Sequence, residues 1–273
     1  MSRWLVTGAA GIVGSHLCDR LLAQADEVIA VDDLSSGSWA NVAHLKRDKR
    51  FQFEEHDVSL QFRAQVDGVF HLALPPSMRA SVAGTLQVLD VAIANGAPLL
   101  MASSMAPTYA ARVAETVALD IAGTRGVPLH LVRSASAYGP RMLHQGLVAR
   151  LMIQALRGEV VTPGVPAHTC VDLAYADDVA AIIARSVGHS GTTYAPWTEL
   201  TVDSLVAMID GNDVAIDGAD HGEVATPIAV GVSRTRDWLA RSVLRKPVAD
   251  RPSGAYLREN VGRSQRAPAR RIA

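Results

Sequence analysis

The chain has 273 residues, of which 49% are hydrophobic and 19% charged, with a formal net charge of -1. This length suits one α/β domain with a smaller appended lobe rather than two full-sized domains. The near-neutral charge argues against nucleic acid or an anionic membrane as the main partner. With only Cys18 and Cys170 and no leader-like or long apolar run, we expect a soluble, cytoplasmic protein without a disulfide framework or a membrane span.

The N-terminal stretch predicts a dinucleotide-binding βαβ unit. Residues 3–7 predict a buried strand, and Gly8, Gly11 and Gly14 follow it in a Gly-x-x-Gly-x-x-Gly turn that opens a helix. Such a turn lets a pyrophosphate approach the bare backbone at a helix N-terminus. Asp32 ends the next predicted strand, where a carboxylate accepts the hydroxyls of an adenosine ribose. Strand, turn, helix and acid coincide, so we expect dinucleotide binding rather than an ordinary glycine-rich turn.

The following segments predict a Rossmann-type α/β fold with a doubly wound parallel sheet. Strands and helices alternate, which requires right-handed crossovers. The predicted elements are strands at 51–55, 66–74, 98–102 and 128–134, and helices at 77–95 and 107–122.

The second half of the chain predicts a smaller substrate lobe. Its predicted elements are helices at 145–157, 177–187, 200–210 and 233–243, and an irregular or strand-like segment at 160–174. We expect a dinucleotide-binding core over residues 1–140, a lobe over 141–250 with some elements returning to the core, and a flexible tail over 251–273.

Several motifs follow one another in a characteristic order. They are Thr7 to Leu17, Val31 to Gly37, His56 to Val58, Val69 to Ala73, Ala102 to Ser104, Tyr138 to Arg141 and Tyr175 to Asp178. This set resembles the extended short-chain dehydrogenases/reductases, which include sugar-nucleotide epimerases, dehydratases and decarboxylases.

The resemblance implies an NAD(P)H cofactor. The residues implied to bind it are Gly8, Gly11, Ile12, Val13, Gly14, Asp32, Asp33, Ser36, Asp57, Val58, Leu72, Ala73, Leu74 and Ser103. Asp32 favours NADH because its charge would repel a 2'-phosphate, while the small residues around Ser36 leave NADPH use open. We expect His16 and His71 to be packed histidines, and no metal site, because no histidine has metal-ligand spacing to cysteine or acids.

The proton-transfer dyad of this family is missing from the sequence. The family uses a tyrosine as general acid/base and a lysine four residues later on the same helical face. No tyrosine here has that partner, and no lysine occurs between Lys49 and Lys246. Aligning residues 112–115 with the family's helix puts Pro107 and Ala111 at the two dyad positions.

Three functions stay open. The first is an NAD(P)H-dependent ketoreductase that acts on an aromatic, angucyclinone-type polyketide in antibiotic biosynthesis and takes its proton from a substrate phenol or water. This function is implied because a cofactor site without the dyad resembles an atypical ketoreductase of this family. The second is a sugar-nucleotide epimerase or decarboxylase. The third is a non-catalytic dinucleotide scaffold or sensor.

Candidate catalytic residues are Ser104, at the end of a predicted strand, and Tyr109, which forms a surrogate dyad with Arg112 if both share one helical face. Candidate substrate-binding residues follow strand ends at the cofactor edge, and they are Met105, Tyr138, Met142 and His144. The expected partner is a small-molecule substrate, and a homodimer is left open.

Overall fold

The computed structural model describes residues 1–75, 77–212 and 217–243. The strands are β1 (Arg3–Thr7), β2 (Glu27–Asp32), β3 (Phe51–Glu55), β4 (Gly68–His71), β5 (Leu99–Ser104), β6 (Leu129–Ser134), β7 (Ser136–Tyr138), β8 (Cys170–Tyr175), β9 (Gly191–Tyr194), β10 (Trp197–Thr201) and β11 (Gly218–His221). The α-helices are α1 (Ile12–Ala23), α2 (Met78–Asn95), α3 (Tyr109–Arg125), α4 (Leu147–Leu156), α5 (Ala176–Ser186), α6 (Val202–Ile209) and α7 (Ile228–Val243).

The main sheet is parallel throughout and has the order β3-β2-β1-β4-β5-β6-β9. Helices cover both of its faces. Because successive residues of a strand point to opposite sides, neighbouring residues of β1 contact different helices. In β1, Val6 packs with residues of α1 and α5, while Leu5 packs with residues of α2 and α3. Gly96 and Gly126 end α2 and α3 in the left-handed conformation. The predicted doubly wound Rossmann-type fold is confirmed.

The lobe is built on a second sheet, with the order β11-β10-β8-β7. A separate hydrophobic core joins this sheet to α4, α6 and α7, and Leu151, Leu205 and Leu239 are fully buried in it. This core lies apart from the two layers of the main sheet. The lobe therefore has its own packing and does not extend the Rossmann sheet.

Two elements of the segment predicted as lobe return to the Rossmann core, one as a strand of the main sheet and one as a helix packed beside it. β9 pairs with β6, and α5 packs on α1 through Val179 and Ile183, which share a core with Val6. β9 was absent from the sequence-based prediction, as were β7, β10 and β11. The strand predicted at 66–74 is shorter, because after His71 the chain leaves the sheet toward Pro75, which cannot donate to a strand ladder.

Most of the remaining predicted helices and strands agree with the observed ones to within a few residues at each end, but α7 begins five residues before the predicted start, and the segment predicted at 160–174 forms a strand only from Cys170. The predicted tail at 251–273 lies outside the described residues. Within the described part of the chain, no helix combines the length and the apolar composition needed to cross a membrane.

Candidate functional site

The turn after β1 is too tight for any residue but glycine at two positions. Gly8 has φ +71°, and a Cβ added there would lie 2.9 Å from the backbone of Leu72 and Ala73. A Cβ on Gly14 would overlap the Gly8 carbonyl oxygen and lie 2.9 Å from the Cα of Ala9. Among the described residues no side chain caps the start of α1, so its first N–H groups stay available. The turn is therefore a bare-backbone site for an anion such as a pyrophosphate.

Asp32 is fixed at the end of β2 by backbone donors. Its Oδ2 accepts the N–H of Ala10 at 2.9 Å, and its Oδ1 accepts the N–H of Leu34 at 2.8 Å. Desolvation raises the pKa of this carboxyl above its usual value, although the two N–H bonds oppose the rise. Gly37 lies so close that a Cβ there would be 2.7 Å from Oδ1. Each oxygen keeps a further lone pair with which to accept a ribose hydroxyl.

One groove runs along the carboxyl edge of the main sheet and has two ends that share Gly8, Gly11, Leu72 and Leu74. The first, which we call the acidic end, has a volume of about 490 Å³. Its predicted cofactor residues are Gly8, Gly11, Asp32, Asp33, Ser36, Asp57, Val58, Leu72, Ala73 and Leu74. The remaining ones, Ile12, Val13, Gly14 and Ser103, line the other end. The structure thus brings every predicted cofactor residue to this groove.

The second end, which we call the serine end, has a volume of about 270 Å³. Besides the glycine turn it is lined by Leu72, Leu74, Ala102, Ser103, Ser104, Val132, Ser134, Ala135, Val179 and Ile183. Among these described lining residues, the three serines carry the only polar side chains. None of the same lining residues has a side chain that titrates near neutral pH.

Two of these serines, Ser103 and Ser104, differ in how their hydroxyls are used. Ser103 donates a short hydrogen bond to Oε1 of Glu115, and Oε2 of Glu115 accepts from Nη2 of Arg133 at 2.5 Å. Ser104 instead accepts the N–H of Ala106 at 3.1 Å, which leaves its own hydrogen free to donate. The Ser103 hydrogen points away from the groove, while that of Ser104 is available to a ligand.

His71 lies beneath the groove and is fully buried, as the packed-histidine prediction expected. Its Nδ1 is 2.8 Å from the Thr7 hydroxyl, and its Nε2 is 3.3 Å from the Thr85 hydroxyl. Desolvation lowers the pKa of His71 to about 4, so the ring is neutral at pH 7. The ring, which belongs to β4, therefore connects Thr7 at the end of β1 with Thr85 of α2. The Thr7 hydroxyl also accepts the N–H of Ala73 at 3.4 Å.

A model of the NAD dependent epimerase/dehydratase family matches residues 4–111. UDP-glucuronic acid decarboxylase 5 of Arabidopsis thaliana is 30% identical over 251 residues, which cover 77% of this chain and 67% of that protein. The chain belongs to the NAD dependent epimerase/dehydratase family. UDP-glucuronic acid decarboxylase 1 of the same plant is 33% identical over 199 residues, or 59% of this chain and 46% of that protein. The chain therefore spans less than half the length of UDP-glucuronic acid decarboxylase 1 and about two thirds of the length of decarboxylase 5.

Solved structures of similar fold match most of the chain. WbmF of Bordetella bronchiseptica, in complex with NAD+ and UDP, has a TM-score of 0.75 at 18% identity over 89% of this chain and 93% of WbmF. The UDP-glucose 4-epimerase of Thermotoga maritima, with UDP-glucose, has a TM-score of 0.70 at 22% identity over 88% of this chain and 99% of that enzyme. At these identities the likeness establishes the fold alone.

The two residues predicted to occupy the family's dyad positions lie at the start of α3. Pro107 precedes the helix, and Ala111 is buried in its first turn. Tyr109 is 84% exposed, and Nε of Arg112 donates to the carbonyl of Pro107 at 3.3 Å. In the part of the chain that the structure describes, no hydrogen bond joins Tyr109 to Arg112. The predicted surrogate dyad is not formed here.

Tyr138 and Met142 are placed away from the groove. Tyr138 is 1% exposed, packs edge-on against Tyr175, and touches α7 so closely that a Cβ on Gly231 would overlap its hydroxyl. Met142 is buried in the same core. The prediction that these residues line the substrate pocket is not supported, because the chain after β7 turns directly into the core of the lobe.

His144 and Met105 have different surroundings. His144 is exposed, packs edge-on against Trp238, and lines a separate cavity of about 660 Å³ beside α4. Its predicted role at the cofactor edge is therefore not supported. Met105 is partly buried against the core of the main sheet, directly after the cleft-lining Ser104. Of the four predicted substrate residues, Met105 is the one whose position in the chain adjoins the groove.

Sequence reasoning missed the contribution of α5 and β6 to the serine end. Val179, Ile183, Val132, Ser134 and Ala135 line it, and none was predicted to do so. The motif Tyr175 to Asp178 at the start of α5 was the available signal, because an apolar helix face follows it. Nothing in the local sequence, by contrast, assigns a lining role to Val132 over its neighbours in β6.

Proposed function

We propose that this protein binds NAD(H) and uses it for hydride transfer at the serine end of the groove. The residues present fit a dinucleotide: the glycine turn admits a pyrophosphate and Asp32 presents a fixed carboxylate to the ribose. When bound, the cofactor supplies hydride exchange with a carbonyl or alcohol carbon. Asp33 and Asp57 add negative charge at the acidic end, which favours NADH over NADPH. Ser36 leaves space there, so NADPH is the second cofactor to test.

We propose ketone reduction as the reaction, and one observation carries the proposal. The serine end offers hydroxyls but no titratable side chain among its described lining residues. Reduction places charge on the ketone oxygen, which needs a proton, and a serine hydroxyl is too weak an acid to supply one. A phenol beside the ketone can transfer its proton to that oxygen as hydride reaches the carbon, and the phenolate then regains a proton from water. Ser104, whose hydrogen is free, would hydrogen-bond the reacting oxygen.

An aromatic polyketide of the angucyclinone type has this arrangement of phenol and ketone. We propose that two exposed side chains, which follow strands that end at the groove, contact a large flat substrate. Tyr109 is 84% exposed after β5, and Met78 is 49% exposed after β4. The carboxyl ends of these neighbouring strands meet at the groove, so the segments that lead to both residues begin at its edge. Aromatic and methionine side chains adapt well to flat apolar ligands.

The test compares a hydroxyaryl ketone with its methyl ether. We expect the free phenol to support NADH oxidation and the methyl ether to support none above background. Tyr109→Phe should keep turnover within a few-fold of wild type, because its hydroxyl is solvated and unpaired with Arg112. Equal turnover of the methyl ether contradicts substrate protonation. Loss of several orders of magnitude in Tyr109→Phe instead favours the surrogate dyad.

A sugar-nucleotide reaction is the second candidate, and the comparisons support it more directly than they support a polyketide. The relatives named above are UDP-glucuronic acid decarboxylases. Against it stands the missing dyad, because epimerases and decarboxylases of the family begin with a tyrosine-assisted oxidation. Incubation with UDP-glucuronic acid and NAD+ tests it by release of carbon dioxide. If the protein binds NADH but performs neither reaction across a broad panel, a dinucleotide scaffold or sensor is the remaining function. A homodimer stays a prediction.

A further inference from the structure

Glu115 and Arg133 form an ion pair directly behind the wall of the serine end, in which Glu115 is buried and Arg133 is partly exposed. Glu115 is 4% exposed on α3, and Arg133 lies on β6 in register with Ser103 of β5. Both carboxylate oxygens of Glu115 are engaged, one by Arg133 and the other by the Ser103 hydroxyl. Neither charged residue lines the groove itself. A charged pair in this position acts on a ligand only through Ser103.

The ion pair decides how Ser103 can interact with a ligand. A carboxylate accepts hydrogen bonds and cannot donate them, so the hydrogen of Ser103 is committed to Glu115. The lone pairs of the Ser103 oxygen are what remain for the groove. Ser103 is only 7% exposed, so a group must enter the wall of the groove to reach it. The matching ligand group is a hydrogen-bond donor, not a carbonyl.

We propose that Glu115 and Arg133 are positioning residues that fix Ser103 as an acceptor for the carboxamide N–H of the bound nicotinamide. This inference rests on the proposed binding of NAD(H) in the groove. The carboxamide carries two N–H donors and would be held in one orientation by a fixed acceptor. Ser104, with its free hydrogen, is then left for the oxygen of the substrate. The two adjacent serines thus have opposite hydrogen-bonding roles, set by Glu115.

The test measures binary binding of NADH and of its reduced 3-acetylpyridine analogue, in which a methyl ketone replaces the carboxamide and removes the N–H donors. We expect wild type to bind NADH about three- to tenfold more tightly than the analogue, the usual range for one net hydrogen bond. Ser103→Ala should lose that preference, chiefly through weaker NADH binding. Thr116→Ala is the matched control, because Thr116 neighbours Glu115 on α3 but is exposed and bonds only the Arg112 carbonyl. It should keep the wild-type preference.

Glu115→Gln separates positioning from a merely structural role. Arg133 demands an acceptor, so the amide oxygen of the new side chain would face it and the amide N–H groups would face Ser103. Ser103 would then direct its hydrogen to the groove, and the preference should shift toward the acetyl analogue. A melting curve with and without NADH confirms that the variant folds. A structural role alone would weaken both dinucleotides equally, and that result overturns the proposal.

The outcomes also separate this inference from the proposed function. If wild type binds neither dinucleotide, the proposed function fails. If wild type binds NADH and the ratio of the two affinities is the same in Ser103→Ala as in wild type, only the role of Ser103 fails.

Discussion

The substitution Gly14→Ala tests the glycine turn most severely. Its Cβ would overlap the Gly8 carbonyl oxygen and lie 2.9 Å from the Cα of Ala9, and both neighbours are backbone that cannot rotate away. The turn would have to open by roughly 1 Å, and overpacking of this kind costs about 1–3 kcal/mol. Because Gly8 and Gly11 are displaced with it, we expect NADH affinity to fall by at least about tenfold.

Gly123→Ala is the matched control for this prediction. Gly123 lies in α3 with no atom within 4 Å of an added Cβ, so the same change there should stabilise the helix by about 0.5–1 kcal/mol. Urea unfolding gives the free energies, and quenching of tryptophan fluorescence by NADH gives the affinities. If Gly14→Ala binds NADH as tightly as Gly123→Ala, the assignment of the turn to the pyrophosphate is refuted.

Two further predictions concern Asp32 and His71. Asp32→Asn removes the charge and leaves the N–H of Ala10 or Leu34 without an acceptor, so the protein should lose about 1–3 kcal/mol of stability. The ratio of NADPH to NADH affinity should rise at the same time, and an unchanged ratio would show that Asp32 does not select the cofactor. The pKa of His71 is about 4 when folded and about 6.5 when unfolded, so the unfolded chain takes up a proton first as pH falls. Stability should drop by about 2 kcal/mol more in wild type than in His71→Asn between pH 7 and pH 5, and parallel pH profiles would contradict a buried neutral ring.

The glycine turn and Asp32 were predictable because local geometry determines them. A turn that requires positive φ at Gly8 and no side chain at Gly14 constrains the residue type itself, and Asp32 follows at the end of the adjacent strand. Motif spacing therefore carries the information. Ser103 was found for the same reason, since it ends a strand next to β4 at the same edge.

The pocket residues of the lobe were not predictable, because their positions depend on tertiary packing. Tyr138 follows a strand end as a cleft residue would, yet α7, almost a hundred residues later, closes over it at Gly231. β9 was missed because Gly191–Tyr194 is short and polar, and only its pairing with β6 makes it a strand. The pairing of Glu115 with Arg133 likewise appears only when α3 is packed on the sheet.

Transfer of deuterium from NADH labelled at its transferable hydrogen tests the central claim most directly. The protein is incubated with the labelled cofactor and a hydroxyaryl ketone, and the product is analysed by mass spectrometry and NMR. We predict that one deuterium appears on the new carbinol carbon, with no transfer to the methyl ether of the same ketone. Tight NADH binding without deuterium in any product, across ketones and sugar nucleotides alike, would contradict hydride transfer by this protein.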